Sequence, residues 1–142
     1  MTRLLVDTAV FVYADGGEHR YREPCRRIIG LVAAGDLELE ASVELVQEFA
    51  HVQLRSGRER AVVLARARRV ADLCMLHSAD ARDGRMMLRL LAEHDRLLPR
   101  DAFFAATALN RGIDGILSPD RDFDGIAGLE RVDPLQLASE AD

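Results

Sequence analysis

Short apolar runs alternate with amphipathic stretches along the whole chain. Leu4-Leu5-Val6 is an apolar run that ends at Asp7, the pattern of a short buried strand. From His19 to Ala34 the residues Cys25, Ile28, Ile29 and Val32 recur on one helical face, and Gly35-Asp36 stops that helix. Leu37 to Ala41 alternates apolar and acidic positions like a strand, and Ser42 stands as N-cap of a helix reaching Leu54. Ser56-Gly57 breaks it. A helix from about Arg58 to Leu73 carries Val62, Val63, Ala67 and Val70, Cys74 to His77 reads as a short strand, and a further helix is expected over Ala81 to Leu97.

Leu98-Pro99 then interrupts the chain. Asp101 opens an Ala- and Phe-rich helix through Leu109, closed by Arg111-Gly112. Gly115 to Leu117 is a strand, Ser118 to Asp124 a polar loop, and Leu129 to Val132 the last strand before Asp133-Pro134. Strands separated by helices predict an α/β fold: a short central parallel sheet, reached by right-handed crossovers, between helices on both faces. In such a sheet the binding crevice lies beyond the carboxyl ends of the strands.

Composition narrows the picture. With 142 residues and 49% hydrophobic content, one compact domain over residues 1–142 is expected. The run after Met1 meets Asp7 too early for a signal peptide or a membrane span, so a soluble cytoplasmic protein is expected. Cys25 and Cys74 are far apart and show neither C-x-x-C nor His-paired spacing, which argues against zinc and against a disulfide framework. The net charge of −5 gives no basic footprint for a nucleic acid, but acids gathered around bound cations would be offset locally. All 19 basic residues are Arg, which we read as codon bias rather than as phosphate recognition.

Two acids fall where the crevice rule puts an active site: Asp7 after the first strand and Asp120 after the strand ending at Leu117. Glu48, one or two turns into its helix, and Asp101, at the start of its own, can join them. Four converging carboxylates repel one another unless a divalent cation holds them. An oxygen-only set without Cys or His suits Mg²⁺, which would activate water for attack on a phosphodiester. Each acid also has an ordinary use. Asp7 can end a strand in a turn, Asp101 can cap a helix, Glu48 can share a solvent face with Glu44, and Asp120, Asp122 and Asp124 can form a solvated turn.

The order of four blocks resembles the motifs of PIN-domain nucleases, and in particular the VapC toxins. The blocks are L-L-V-D-T (Leu4 to Thr8), S-V-E-L-V-Q-E-F (Ser42 to Phe49), R-D-A-F-F-A-A-T-A-L (Arg100 to Leu109) and S-P-D-R-D-F-D (Ser118 to Asp124). The likeness runs from Leu4 to about Pro134. It implies a PIN-like three-layer α/β/α sandwich with metal-binding, catalytic acids at Asp7, Glu48, Asp101 and Asp120. Ser118 would help order the site and Asp122 would assist from behind. The implied activity is that of an endoribonuclease using Mg²⁺ (or Mn²⁺) and metal-activated water, leaving 5′-phosphate and 3′-hydroxyl ends. The implied partners are RNA, a VapB-like antitoxin that blocks the site, and a second copy in a homodimer, with no membrane involved. Ala9 departs from the pattern, since many relatives carry Ser or Asn there.

Other features point less sharply. Arg55, Arg58, Arg60, Arg66, Arg68 and Arg69 form a basic stretch, read as a solvated helical face rather than an RNA guide. His19, His51, His77 and His94 show no ligand spacing, and of Phe103 and Phe104 at least one is expected in the core. Two other functions compete. One is a catalytically silent PIN-like binding scaffold, against which the intact acids count. The other is a haloacid-dehalogenase-like phosphohydrolase, against which Ala9 counts, because that chemistry wants a second acid two positions after the first.

Overall fold

The computed structural model describes residues 3–141; residues 1, 2 and 142 of the expected span lie outside it. Five short strands, β1 (Leu4–Val6), β2 (Leu39–Ser42), β3 (Cys74–His77), β4 (Gly115–Leu117) and β5 (Glu130–Val132), form one parallel sheet in the order β3-β2-β1-β4-β5. The helices are α1 (Thr8–Asp15), α2 (Arg22–Ala33), α3 (Glu44–Arg55), α4 (Arg60–Leu73), α5 (Ala81–Glu93), α6 (Pro99–Asn110) and α7 (Pro134–Glu140). From β1 the chain steps outward to β2 and β3, then returns through α5 and α6 to β4 on the other side of β1. The order therefore reverses between β1 and β4, the kind of switch point at which α/β sheets open a ligand crevice. With right-handed crossovers, that reversal puts α1 to α4 on one face of the sheet and α5 and α6 on the other.

The central strands are buried on both sides, so they read as continuous apolar runs: Leu4, Leu5, Val6, Ile116 and Leu117 are all core. Below and above them pack Val10, Phe11, Ile28, Leu45 and Phe49 from the first helices and Ala102, Phe104, Ala105 and Ala106 from α6. The alanines let α6 approach the sheet closely. Cys25 and Cys74 are free thiols whose pKa values burial pushes up to about 12, so both are poor nucleophiles. Among the described residues no helix is long and apolar enough to cross a membrane.

Several boundaries differ from those expected. Helix α1 was not foreseen: its sequence TAVFVYAD buries Thr8, Val10, Phe11 and Ala14 and carries no polar stripe to reveal a helical period. Helix α5 stops at Glu93 rather than Leu97, because the apolar Leu97 that prolonged the pattern is buried from a loop. Helix α6 begins at Pro99, whose fixed φ suits a first helical position, so Leu98 and not Asp101 is its cap residue. The polar loop after β4 contains a short 3₁₀ turn, Arg121–Phe123, and Asp133 caps α7 by accepting from the Leu135 N–H at 2.8 Å.

Candidate active site

Strand register builds the site. Leu4, Leu5 and Val6 lie opposite Gly115, Ile116 and Leu117, so the residues that follow, Asp7 and Ser118, emerge side by side at the carboxyl edge. The Asp7 N–H donates to the Leu117 carbonyl at 3.0 Å, which fixes the backbone at the point of emergence. Ser118, fully buried, donates its hydroxyl to Asp7 Oδ2 at 2.7 Å, and its Oγ accepts the Asp120 N–H at 3.0 Å. Asp120 Oδ1 in turn accepts the Asp122 N–H at 2.9 Å. The loop is thereby folded back so that Asp120 and Asp122 return toward Asp7 rather than into solvent.

Asp7, Glu48, Asp101, Asp120 and Asp122 line one cleft of about 620 Å³. Asp101 sits in the first turn of α6, nearly buried and making no capping bond, so the ordinary helix-cap use does not account for it. Glu48 reaches the cleft from the second turn of α3, and its Oε1 lies 3.3 Å from Arg100 Nε. Glu44, one turn earlier, is exposed and lines a neighbouring hollow instead. Asp124 turns away to accept from Arg131 Nε at 2.7 Å, so of the two later loop acids it is Asp122 that faces the cleft.

Electrostatics mark this as an unneutralised acidic pocket. Asp7 is pushed up to about 6, first by burial and further by Glu48 and Asp120, against the Ser118 hydroxyl bond and the Thr8 backbone N–H that pull it down. Asp101 also rises to about 6 through burial, then through the charges of Asp7 and Asp120. Glu48 is raised by burial, although Arg100 and the nearby Thr8 hydroxyl pull the other way. The buried Thr8 Oγ1 itself makes no well-formed hydrogen bond.

These residues fit a hard divalent cation. The donors are all oxygen, the charge is excess and partly desolvated, and a buried hydroxyl stands without a firm partner. Among the described residues no three acids converge tightly enough to enclose an ion by themselves. Sequence reasoning missed Thr8, Arg100, Tyr13 and Tyr21 as cleft residues. Arg100 adjoined a recognised block, but nothing in the spacing of the tyrosines signals their place.

The remaining sequence candidates lie elsewhere. Arg66 Nη1 is 2.9 Å and Arg58 Nη1 3.8 Å from Asp15 Oδ2, so part of the basic stretch is engaged in bracing α1 against α4. His77 Nε2 pairs with Glu40 Oε1 at 2.8 Å, on the β2/β3 edge. Phe104 is core, while Phe103 is half-buried in the hollow next to the cleft.

A parallel sheet with an acid-lined cleft at its switch point defines an α/β protein with its site at the carboxyl edge of the strands, and comparison with known proteins gives the family. The model of the PIN domain matches residues 4–129. The chain is 30% identical to "Ribonuclease VapC7" of Mycobacterium tuberculosis over 133 residues, 92% of this chain and 91% of that one. It is 29% identical to "Ribonuclease VapC23" of the same species, over 82% of this chain and 92% of that one. Its fold superposes on a chain in the crystal structure of VapBC2 from Rickettsia felis bound to a promoter DNA fragment, with a TM-score of 0.72 at 13% identity, covering 93% of this chain and 98% of that one. The chain belongs to the PIN-domain family, among the VapC proteins.

Proposed function

We propose that this protein is a Mg²⁺- or Mn²⁺-dependent endoribonuclease that acts in the cytoplasm as the toxin of a VapBC-type pair. The observation that carries this reading is the convergence of Asp7, Glu48, Asp101, Asp120 and Asp122 on one cleft at the sheet's switch point. The names of the VapC relatives support RNA as the substrate, and the toxin–antitoxin and VapBC assemblies among its structural neighbours support an antitoxin partner. Residues that fit neither a dehalogenase loop nor a silent scaffold weigh against the two alternatives: Ala9 brings no second acid into the cleft, and the four expected carboxylates are all in it.

A divalent cation held by Asp7, Asp101, Asp120 and Glu48 would supply water activation and charge neutralisation for in-line attack on a phosphodiester. The chain's own residues prepare the place. Ser118 holds the Asp7 carboxylate in one orientation, and the Asp122 N–H does the same for Asp120. Arg100, 61% exposed, sits at the rim with its guanidinium beside Glu48, placed to meet an incoming phosphate. Attack by metal-activated water would leave 5′-phosphate and 3′-hydroxyl ends.

The test is to incubate the purified chain with total RNA and Mg²⁺, then map the fragment ends. Discrete fragments with 5′-phosphates, abolished by EDTA and restored by Mg²⁺ or Mn²⁺, are expected. Cleavage that survives thorough chelation would overturn the metal-dependent reading, and hydrolysis of small phosphomonoesters in its place would favour the dehalogenase-like one.

A further inference from the structure

The acid cleft has one wall of a different character. The chain holds only two tyrosines and no tryptophan, and both tyrosines, Tyr13 and Tyr21, line the cleft that contains Asp7 and Asp101. His19 completes a triangle of rings. Its centroid is 4.4 Å from that of Tyr13 at an interplanar angle of 24°, and 5.9 Å from that of Tyr21 at 17°. The tyrosine rings themselves are 5.6 Å apart. Both tyrosines are half-buried and His19 is exposed, so this cluster is a surface feature and not part of the core.

The cluster is also held still. Tyr21 donates its hydroxyl to Asp133 Oδ2 at 3.0 Å, and Asp133 is fixed by Arg131 and by its role as cap of α7. The Tyr21 backbone N–H donates to His19 Nδ1 at 3.2 Å, which leaves Nε2 as the protonated nitrogen of the neutral imidazole. Arg20 stacks its guanidinium 5.2 Å from the Tyr21 ring centre. Tyr13 is placed by α1, which starts at Thr8 and turns Ala9, Val12 and Tyr13, at i, i+3 and i+4, toward the cleft. At the helical rise, Tyr13 stands roughly 9 Å along α1 from Asp7. A nucleotide flanking the cleaved bond can reach that ring while its phosphate lies at the acids.

We infer that the Tyr13–His19–Tyr21 cluster is a nucleobase platform, on which an unstacked base next to the scissile phosphate of single-stranded RNA stacks. The inference rests on the ribonuclease reading for the identity of the ligand. Its physical motive is the charge of the cleft, which faces phosphate with five acids and a single basic residue, Arg100. Without a bound cation the cleft repels phosphate, and a cation at the acids would hold the phosphate but not the base beside it. Rigid aromatic faces supply affinity that does not depend on charge, and stacking of an unpaired base on such rings is how single strands are commonly held.

The absence of tryptophan makes the test direct, because the intrinsic fluorescence of the protein comes from these two tyrosines. The probe is a short oligoadenylate with methylphosphonate linkages, uncharged and resistant to hydrolysis, against an abasic oligomer of the same backbone. Saturable quenching by the base-bearing oligomer, none by the abasic one, and about ten-fold weaker binding in Tyr13→Leu are expected. Tyr13→Phe keeps the ring and should bind within about two-fold of the parent. On RNA, Tyr13→Leu should raise KM more than it lowers kcat. Equal quenching by the abasic oligomer overturns the platform, and so does unchanged affinity in a folded Tyr13→Leu. Asp101→Asn separates the two readings: it should lose cleavage and keep the quenching. Full cleavage in that variant would remove the ribonuclease site and leave the quenching result to judge the platform alone.

Discussion

Ser118 and Asp7, adjacent across the β1/β4 seam, share a hydrogen bond of 2.7 Å in which the serine hydroxyl donates to the carboxylate. The same Oγ accepts the Asp120 N–H, so one buried side chain sets the position of two of the acids. Ser118→Ala is expected to cost about 1–2 kcal/mol of stability, because a buried acceptor and a loop N–H lose their partner together. It should also lower cleavage strongly, since Asp7 is then free to rotate. Ser118→Thr, which keeps the hydroxyl, should restore most of the activity. Parallel denaturation curves and cleavage rates for the two variants check both effects.

The raised acids have a consequence for metal-free stability. A carboxyl whose folded pKa stands above its unfolded value destabilises the fold once pH exceeds that range, and the penalty vanishes below the unfolded pKa. Asp7 and Asp101, both at about 6 against 3.8, are such groups. In EDTA at pH 7 to 8, Asp101→Asn should therefore be more stable than the parent by about 1–2 kcal/mol. The gain should shrink as pH falls through 6 and be gone near 4. Adding Asp7→Asn should contribute less than its separate effect, because the two share one repulsion. Urea unfolding across that pH range reads the difference.

Asp83 shows the opposite sign. It is fully buried at the N-terminus of α5, where it takes Arg111 Nη1 and Nη2 at 2.7 and 2.9 Å, Asn110 at 2.9 Å and the Asp80 N–H at 3.2 Å. Burial works to raise its pKa, but the bonds from Arg111, Asn110 and Asp80 outweigh it and hold the carboxyl below the usual range. Its contribution to stability is thus present above the ordinary carboxylate pKa and lost as pH falls below it toward the folded value. Asp83→Ala strands the Arg111 guanidinium and should cost about 3–5 kcal/mol, with an acid-side stability slope shallower than that of the parent. The Asp83 cluster lies outside the cleft, so the protein that remains folded should retain its kcat.

Much of the fold was legible because its two central strands, β1 and β4, are short and apolar and each is followed at once by a polar residue. Leu4-Leu5-Val6 before Asp7, and Gly115-Ile116-Leu117 before Ser118, could be read as strands ending at one carboxyl edge once a parallel sheet was assumed. Five of the six residues expected at the site, Asp7, Glu48, Asp101, Asp120 and Asp122, line one cleft, and the sixth, Ser118, is bonded to Asp7. What failed did so for physical reasons. Helix α1 is wedged between sheet and neighbouring helices and has no polar face to give it a period. Helix α7 carried the Asp-Pro start signal at Asp133-Pro134, which we read as the end of a strand. The strand order, and so the meeting of Tyr13 with Tyr21 at the cleft, depends on long-range packing that no local pattern encodes.

The central claim is that Asp101 and its neighbours form one metal-dependent hydrolytic site, and the most direct measurement is the RNA cleavage rate of Asp101→Asn in Mg²⁺. Asp101 is the acid best suited to this purpose, since it caps nothing, lies nearly buried and feels the charges of both Asp7 and Asp120. The variant should fold as well as the parent or better in the absence of metal, while cleaving at least about 100-fold more slowly. Parent-like cleavage by a folded Asp101→Asn would contradict the assignment of the site.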